Sequence, residues 1–158
     1  MAPTTRSMRF VTQIPWRGVG NADFFNFHKL FAVVGASTDR SKFGNKVLRC
    51  YQKRGYPVIP INNKAPEIEG VSTQVSLTAL RSTLSSEVSI KDVGISIITP
   101  PVVTTKVIQE AYELGARSFF LQPGTYDAAV DATLASFSDA IVIKSCVLVD
   151  LDCHDEFH

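Results

Sequence analysis

Short apolar runs alternate along the chain with longer stretches in which apolar residues recur every three to four positions. Continuously apolar runs are typical of strands that are buried on both faces of a sheet. The runs occupy residues 31–35, 57–61, 93–99, 117–122 and 140–149. The sequence therefore predicts five buried strands.

The stretches between these runs have the spacing of amphipathic helices. They cover residues 43–54, 77–84, 101–114 and 126–137. Gly55 and Gly115 follow two of them and act as helix-ending signals. Asp23 is predicted to cap a further short helix ahead of the first strand.

Strands that alternate with helices indicate right-handed βαβ units around a parallel sheet. We therefore predict an α/β fold, a three-layer Rossmann-like domain with a mostly parallel five-stranded sheet over residues 23–150. An irregular segment, residues 1–22, precedes this domain, and an acidic tail, residues 151–158, follows it. Sheets of this kind bind ligands beyond the carboxyl ends of their strands. The loops of interest therefore follow Gly35, Ile61, Thr99 and Gln122.

Composition and charge narrow the classes of partner. The chain has 158 residues, of which 45% are hydrophobic and 20% charged, as in one globular domain. A net charge of +1 argues against a nucleic-acid partner, and no apolar run reaches the about 18 residues of a membrane span. Three cysteines without an apolar leader indicate a reducing, cytoplasmic location. The acid-free residues 1–20 leave a mitochondrial presequence as the alternative.

The loop after the first predicted strand contains candidate ligand-binding groups. It reads Gly35-Ala36-Ser37-Thr38-Asp39-Arg40-Ser41-Lys42-Phe43-Gly44. Free N–H groups at the start of a helix bind anions, and the serine hydroxyls and the Lys42 ammonium suit a pyrophosphate. Neither the dinucleotide pattern G-x-G-x-x-G nor a P-loop is present. A tight turn without a ligand would explain the same residues.

The end of the second strand distinguishes between nucleotides. An NAD site has an acidic residue there, which binds the ribose hydroxyls. This chain has Asn62, Asn63 and Lys64 instead. A lysine suits a phosphorylated ribose, which favours coenzyme A or NADP over NAD, unless the segment is only a polar turn.

Several motifs, taken in order, resemble the small coenzyme A-binding protein family. That family is related to the nucleotide-binding domain of succinyl-CoA synthetase α chains and of ADP-forming acyl-CoA synthetases. The matching stretches are Gly35-Ala36-Ser37 with Lys42 and Gly44, residues 55–62 with Gly70, Thr99-Pro100-Pro101, Gly115-Ala116-Arg117 and Gln122-Pro123-Gly124. Many bacterial members have Asp-Arg-Cys near the last strand, where this chain has Lys144-Ser145-Cys146, so only the cysteine matches.

The resemblance implies a Rossmann-like fold with coenzyme A or an acyl-CoA in the crevice. Its pyrophosphate would be held by Gly35, Ser37 and Lys42, and its phosphorylated ribose would lie near Pro60, Asn62 and Lys64. The adenine or the pantetheine would be flanked by Thr99, Pro100 and Pro101, and the far wall would be formed by Gln122 and Gly124. The remaining predicted site residues are Ala36, Arg40, Phe43 and Gly44.

No catalytic series is evident. The histidines, His28, His154 and His158, lie away from the predicted strand ends, and the ligases related to this family use a histidine on a second domain. Metal-ligand residue types at 153–158 lack the spacing of a closed site, which favours a solvated tail. Cys146 is expected to be a buried, inert thiol. If it faces the crevice instead, it could form a mixed disulfide with the coenzyme A thiol.

The sequence therefore predicts a nucleotide-binding module for a small-molecule ligand. It leaves open a homodimer and a non-catalytic subunit of an acyl-CoA ligase assembly. The alternative is an NAD(P)-binding protein or a reductase-like fragment.

Overall fold

The computed structural model describes residues 20–153 and Glu156. Six helices and seven strands follow one another over this part of the chain. They are α1 (Asn21–Phe27), β1 (Leu30–Val34), α2 (Phe43–Lys53), β2 (Val58–Ile61), β3 (Glu67–Ile68), β4 (Val71–Ser72), α3 (Leu77–Thr83), β5 (Val93–Ile97), α4 (Pro101–Leu114), β6 (Ser118–Leu121), α5 (Ala128–Ala135), β7 (Ile141–Lys144) and α6 (Val147–Asp150). A 3₁₀ turn, Ile90–Asp92, precedes β5.

The main sheet has the strand order β2-β1-β5-β6-β7, and all of its pairings are parallel. This confirms the predicted α/β fold. The register aligns the carboxyl ends of all five strands in one row, formed by Ile61, Val34, Ile97, Leu121 and Lys144. The next strand of the main sheet along the chain, β2, lies on one side of β1, and the strand after it, β5, lies on the other side. The switch point of the sheet therefore lies at the end of β1.

Alternate residues of each strand pack into separate cores on the two faces of the sheet. Phe31 and Val33 of β1 pack with α1, α2 and α6, whereas Ala32 and Val34 pack with α3, α4 and α5. This arrangement explains the continuous apolar run of β1, because Phe31, Ala32, Val33 and Val34 are all buried.

Two elements differ from the sequence-based prediction. The last apolar run does not form one strand over 140–149, because β7 ends at Lys144 and residues 147–150 form α6. A short apolar run does not distinguish a strand from a buried helical turn. Asp23 is not the N-cap of α1, which begins after Gly20. The Asp23 carboxylate instead accepts the Gly20 N–H at 2.9 Å.

Two of the three cysteines form a disulfide, which the sequence analysis did not predict. Cys50 in α2 and Cys153 after α6 form a disulfide, with their Cα atoms 6.0 Å apart, and Cys146 is the free cysteine. The chain after α6 also contacts α2 through Arg54, which donates to the Leu151 carbonyl at 2.8 Å and to Glu156 Oε1 at 2.8 Å. These residues of the predicted tail therefore pack on the domain.

Some sequence-based predictions concern residues outside the described part of the chain. The alternative of a presequence concerns residues 1–20, of which 1–19 lie outside it, and so do residues 154, 155 and 158 of the C-terminal metal-ligand cluster. Over residues 20–153 and 156, no helix has the length and apolar character required to cross a membrane.

Candidate functional site

A cavity of about 690 Å³ lies at the carboxyl ends of β1, β5 and β6. Its walls come from the loop after β1, the start of α2, the ends of β5 and β6, and the residue before α6. The lining residues are Gly35, Ala36, Ser37, Ser41, Lys42, Phe43, Gly44, Ile98, Thr99, Pro100, Gln122, Pro123, Gly124, Thr125 and Cys146. This is the edge of the sheet at which the sequence predicts a ligand.

A second cavity, of about 310 Å³, adjoins the first and extends towards the end of β2. The two share Gly35, Ala36 and Thr99 in their linings. The smaller one is also lined by Asn62, Asn63, Val75, Val103, Val107 and Glu110, among others. Together the cavities run across both sides of the switch point.

The structure brings most of the predicted site residues to these two cavities. The larger contains Gly35, Ala36, Ser37, Lys42, Phe43, Gly44, Thr99, Pro100, Gln122 and Gly124, and the smaller contains Asn62. The linings of both cavities lack Arg40, Pro60, Lys64 and Pro101. Pro60 is buried within β2, and Pro101 is the first residue of α4. The individual roles of all these residues remain predictions.

Gly44 allows α2 to begin directly against the loop after β1. A Cβ atom on Gly44 would lie only 2.0 Å from the Gly35 carbonyl oxygen. Gly35 itself has a φ of +94°, a conformation that favours glycine. A close approach of this kind is what the glycines of dinucleotide-binding loops provide, although the spacing here differs from that pattern.

Side-chain donors hold three carbonyl groups of this loop. Asn62 Nδ2 donates to the Ala36 carbonyl, Asn45 Nδ2 to the Ser37 carbonyl and Arg49 Nη2 to the Arg40 carbonyl, each at 2.9 Å. Because a trans peptide is planar, the N–H of the same peptide points the opposite way. The N–H groups of Ser37 and Thr38 therefore point away from these donors.

The loop and the start of α2 present several N–H groups without a partner. Within the described part of the chain, the N–H groups of Ser37, Thr38, Phe43 and Gly44 have no hydrogen-bond acceptor. The N-cap of α2 is Lys42, whose side chain makes no capping bond and forms no salt bridge with the described acids. Unsatisfied N–H groups and a lysine at a helix start are groups of the kind that bind anions in other proteins.

Hydroxyl groups and Asp39 fix the turn between the loop and α2. Ser37 Oγ accepts the Asp39 N–H at 3.0 Å, which leaves its hydroxyl proton available to a ligand. Asp39 Oδ1 accepts both the hydroxyl of Ser41 at 2.6 Å and its N–H at 2.9 Å. These bonds from Ser41, the hydroxyl first, lower the pKa of Asp39, so that it stays ionised in the turn.

The opposite wall of the larger cavity is organised by Gln122, which is 3% exposed. Its Oε1 accepts the Val147 N–H at 2.6 Å, and its Nε2 donates to Cys146 Sγ at 3.4 Å. Cys146 is partly exposed and lines the cavity, which corrects the expectation of a buried thiol. Gln122 therefore links the end of β6 to the start of α6 beside the cavity.

Thr99 is not the N-cap of α4. Pro100 occupies the N-cap position and Pro101 the first helical position. The Thr99 hydroxyl instead shares a hydrogen bond of 2.8 Å with the Thr104 hydroxyl, which also donates to the Thr99 carbonyl at 3.0 Å. This pair fixes the loop after β5 at the edge of both cavities.

Residues 35–42, between β1 and α2, are called the ligand loop below. Sequence reasoning missed the residues that support this loop from outside the cavity. Asn45 is fully buried in α2, and Glu69 belongs to the β3–β4 hairpin, which the sequence did not predict. Glu69 Oε2 accepts from Asn45 Nδ2 at 2.9 Å and lies 3.3 Å from Arg40 Nε. The hairpin strands have two residues each, too few to give a periodic signal.

Solved structures with the same fold support this description. A conserved hypothetical protein from Pyrococcus furiosus is 28% identical, with a TM-score of 0.64 over 78% of this chain and 99% of its own. A hypothetical protein from Pyrococcus horikoshii OT3 is 22% identical, with a TM-score of 0.68 over 91% and 96%. A protein from Thermus thermophilus is 24% identical, with a TM-score of 0.67 over 83% and 93%. At these identities, the last two show the fold alone.

Comparison with sequence families assigns the chain more specifically. A search of curated proteins finds no significant match. A family model described as CoA binding domain matches residues 29–152. That range extends from β1 to α6 and includes both cavities and the whole ligand loop. The chain therefore belongs to the CoA binding domain family.

Proposed function

We propose that this protein binds coenzyme A, free or as an acyl thioester, across the carboxyl edge of its sheet. The observation that supports this most directly is the set of unsatisfied N–H groups at Ser37, Thr38, Phe43 and Gly44. They lie beside the exposed Lys42 in a member of a CoA-binding family. A pyrophosphate supplies the paired anionic groups that such a set of donors binds.

The two adjoining cavities suit the two ends of the cofactor. In a doubly wound sheet the ribose of the nucleotide lies near the end of β2. We therefore place the adenosine in the smaller cavity, next to Asn62, with Lys64 near the ribose phosphate. The pantetheine arm then occupies the larger cavity. Its walls include the apolar side chains of Phe43, Ile98 and Pro123.

The proposal is a binding function and includes no reaction. The donors that face the proposed pyrophosphate are backbone N–H groups, a serine hydroxyl and the ammonium of Lys42. These groups hold an anion and neutralise its charge. At the proposed pantetheine end, Gln122 uses both of its polar atoms within the protein, in bonds to Val147 and Cys146.

Calorimetric titration tests the proposal. We expect coenzyme A to bind more tightly than NADH and NADPH. Lys42→Ala should weaken coenzyme A binding by about 2 kcal/mol, or about thirtyfold, which is the loss of a hydrogen bond to a charged group. Lys91→Ala is a matched control, because Lys91 is exposed and lies ahead of β5, at the opposite edge of the sheet.

The results separate the proposal from its alternatives. Tight NADH binding without coenzyme A binding would contradict the proposed ligand. If Lys42→Ala and Lys91→Ala both bind coenzyme A as the wild type does, Lys42 is not part of the site.

A further inference from the structure

The β3–β4 hairpin reaches the ligand loop through a single carboxylate. Glu69 Oε2 accepts a hydrogen bond from Asn45 Nδ2 at 2.9 Å and lies 3.3 Å from Arg40 Nε. Asn45 is in the first turn of α2, and Arg40 is in the loop itself. One oxygen atom therefore joins the hairpin to both the loop and the helix that follows it.

The amide of Asn45 has only one arrangement that satisfies all of its neighbours. Its Oδ1 accepts from Arg49 Nε at 2.6 Å, and its Nδ2 donates to the Ser37 carbonyl and to Glu69, both at 2.9 Å. Asn45 is fully buried, so water does not replace a lost partner easily. Glu69 thereby fixes the side chain that holds the Ser37 carbonyl.

Surrounding contacts also fix the backbone of Glu69. Glu69 has a φ of +50°, a backbone conformation that residues other than glycine rarely adopt. Its carbonyl accepts a hydrogen bond from Gln52 Nε2 of α2 at 3.0 Å. Residues held in sparsely populated conformations persist where neighbouring contacts fix them. Contacts from α2 thus hold both the backbone and the carboxylate of Glu69.

We infer that Glu69 is a positioning residue for the anion-binding loop, acting through Asn45 and Arg40. The inference rests on the proposed function, because it concerns the loop that is proposed to bind the pyrophosphate. Without Glu69, one donor of the buried Asn45 amide loses its acceptor and the Arg40 side chain loses its ion pair. The Asn45 amide then keeps only Arg49 and Ser37 as partners, and it holds the Ser37–Thr38 peptide in one orientation less firmly.

The test compares ligands with and without phosphates. Glu69→Ala should weaken the binding of coenzyme A and of ADP about tenfold, which corresponds to about 1.4 kcal/mol. Glu69→Gln should restore most of the affinity, because its amide oxygen still accepts from Asn45. Glu67→Ala is the matched control, an exposed carboxylate in the same hairpin. Pantetheine, titrated by NMR, should bind the wild type and Glu69→Ala equally.

Each outcome decides the inference. Equal binding of coenzyme A and ADP by the wild type and Glu69→Ala would overturn it, and so would an equal loss of pantetheine binding, which indicates general damage. A wild-type protein that binds neither coenzyme A nor ADP would overturn the proposed function itself. If thermal unfolding shows that Glu69→Ala is not folded, Glu69→Asp decides, because it keeps the negative charge but shortens the side chain by one methylene group and withdraws the carboxylate from Asn45. It should weaken the binding of coenzyme A and ADP and leave pantetheine binding unchanged, and unchanged binding of coenzyme A and ADP would refute the inference.

Discussion

The burial of His28 predicts a loss of stability in mild acid. His28 is 9% exposed. The centroid of its ring lies 4.9 Å from that of the Phe24 ring and 6.0 Å from that of the Phe31 ring. Nδ1 donates to the Phe24 carbonyl at 2.5 Å, whereas Nε2 is buried without a partner in the described part of the chain. A proton on Nε2 would therefore create a buried positive charge, and the new N–H group would have no acceptor among the described residues.

The magnitude follows from the pKa of His28. Burial lowers it from 6.5 to about 4, against smaller upward effects of the Phe24 carbonyl and the Asp92 carboxylate. Above pH 6.5 neither the folded nor the unfolded protein binds this proton. Between pH 6.5 and 4 the unfolded chain binds it and the folded protein does not, so stability falls as the pH falls. At about 1.4 kcal/mol per pH unit, the full loss is about 3 kcal/mol.

Urea unfolding at several pH values between 7.5 and 4.5 measures this loss. His28→Phe is the comparison, because it keeps an aromatic ring in the cluster and removes the titration. Other titratable groups are present in both proteins, so their contributions cancel in the difference. At pH 5 the wild type should have lost about 2 kcal/mol more than His28→Phe, relative to pH 7.5. Parallel losses in the two proteins would refute the reasoning.

Two further predictions concern the close approach at Gly44 and the disulfide. Gly44→Ala should weaken coenzyme A binding in calorimetry by more than tenfold, or about 1.4 kcal/mol, because its Cβ would lie 2.0 Å from the Gly35 carbonyl oxygen and force the loop to move; unchanged affinity would show that the loop tolerates this shift. Reduction of the Cys50–Cys153 disulfide should lower the free energy of unfolding by about 4.7 kcal/mol, because the bond spans 103 residues. The reductant should lower the free energy of unfolding of Cys146→Ser as much as that of the wild type, because Cys146 is free. If the effect of the reductant disappears in Cys146→Ser, the disulfide does not join Cys50 to Cys153.

The main sheet could be predicted because its strands are buried on both faces. Phe31 and Ala32 face opposite cores, so the run that contains them is apolar throughout and bounded by polar segments. The end of the last strand could not be located in this way. Val147 and Leu148 are as apolar as β7, but β6 ends at Leu121 and offers no partner beyond Lys144. A missing neighbour in space leaves no mark in the local sequence.

The cavity could be predicted from the order of loops at the strand ends, but its supports could not. Asn45 and Glu69 are 24 residues apart and meet only because the hairpin folds back on α2. Cys50 and Cys153, separated by 103 residues, gave no spacing signal for the same reason. Such contacts depend on how elements pack and not on any local pattern.

The disulfide closes a covalent ring that leaves out one interior strand of the sheet, β1. The ring runs from Cys50 to Cys153 and includes β2, β5, β6 and β7. Strand β1 precedes Cys50, although it lies between β2 and β5 in the sheet. Local opening that releases β1 therefore requires no bond to break, and such opening would carry the loop from Gly35 with it. A ligand that contacts both this loop and the ends of β5 and β6 would therefore stabilise β1, which the disulfide does not constrain, against local opening.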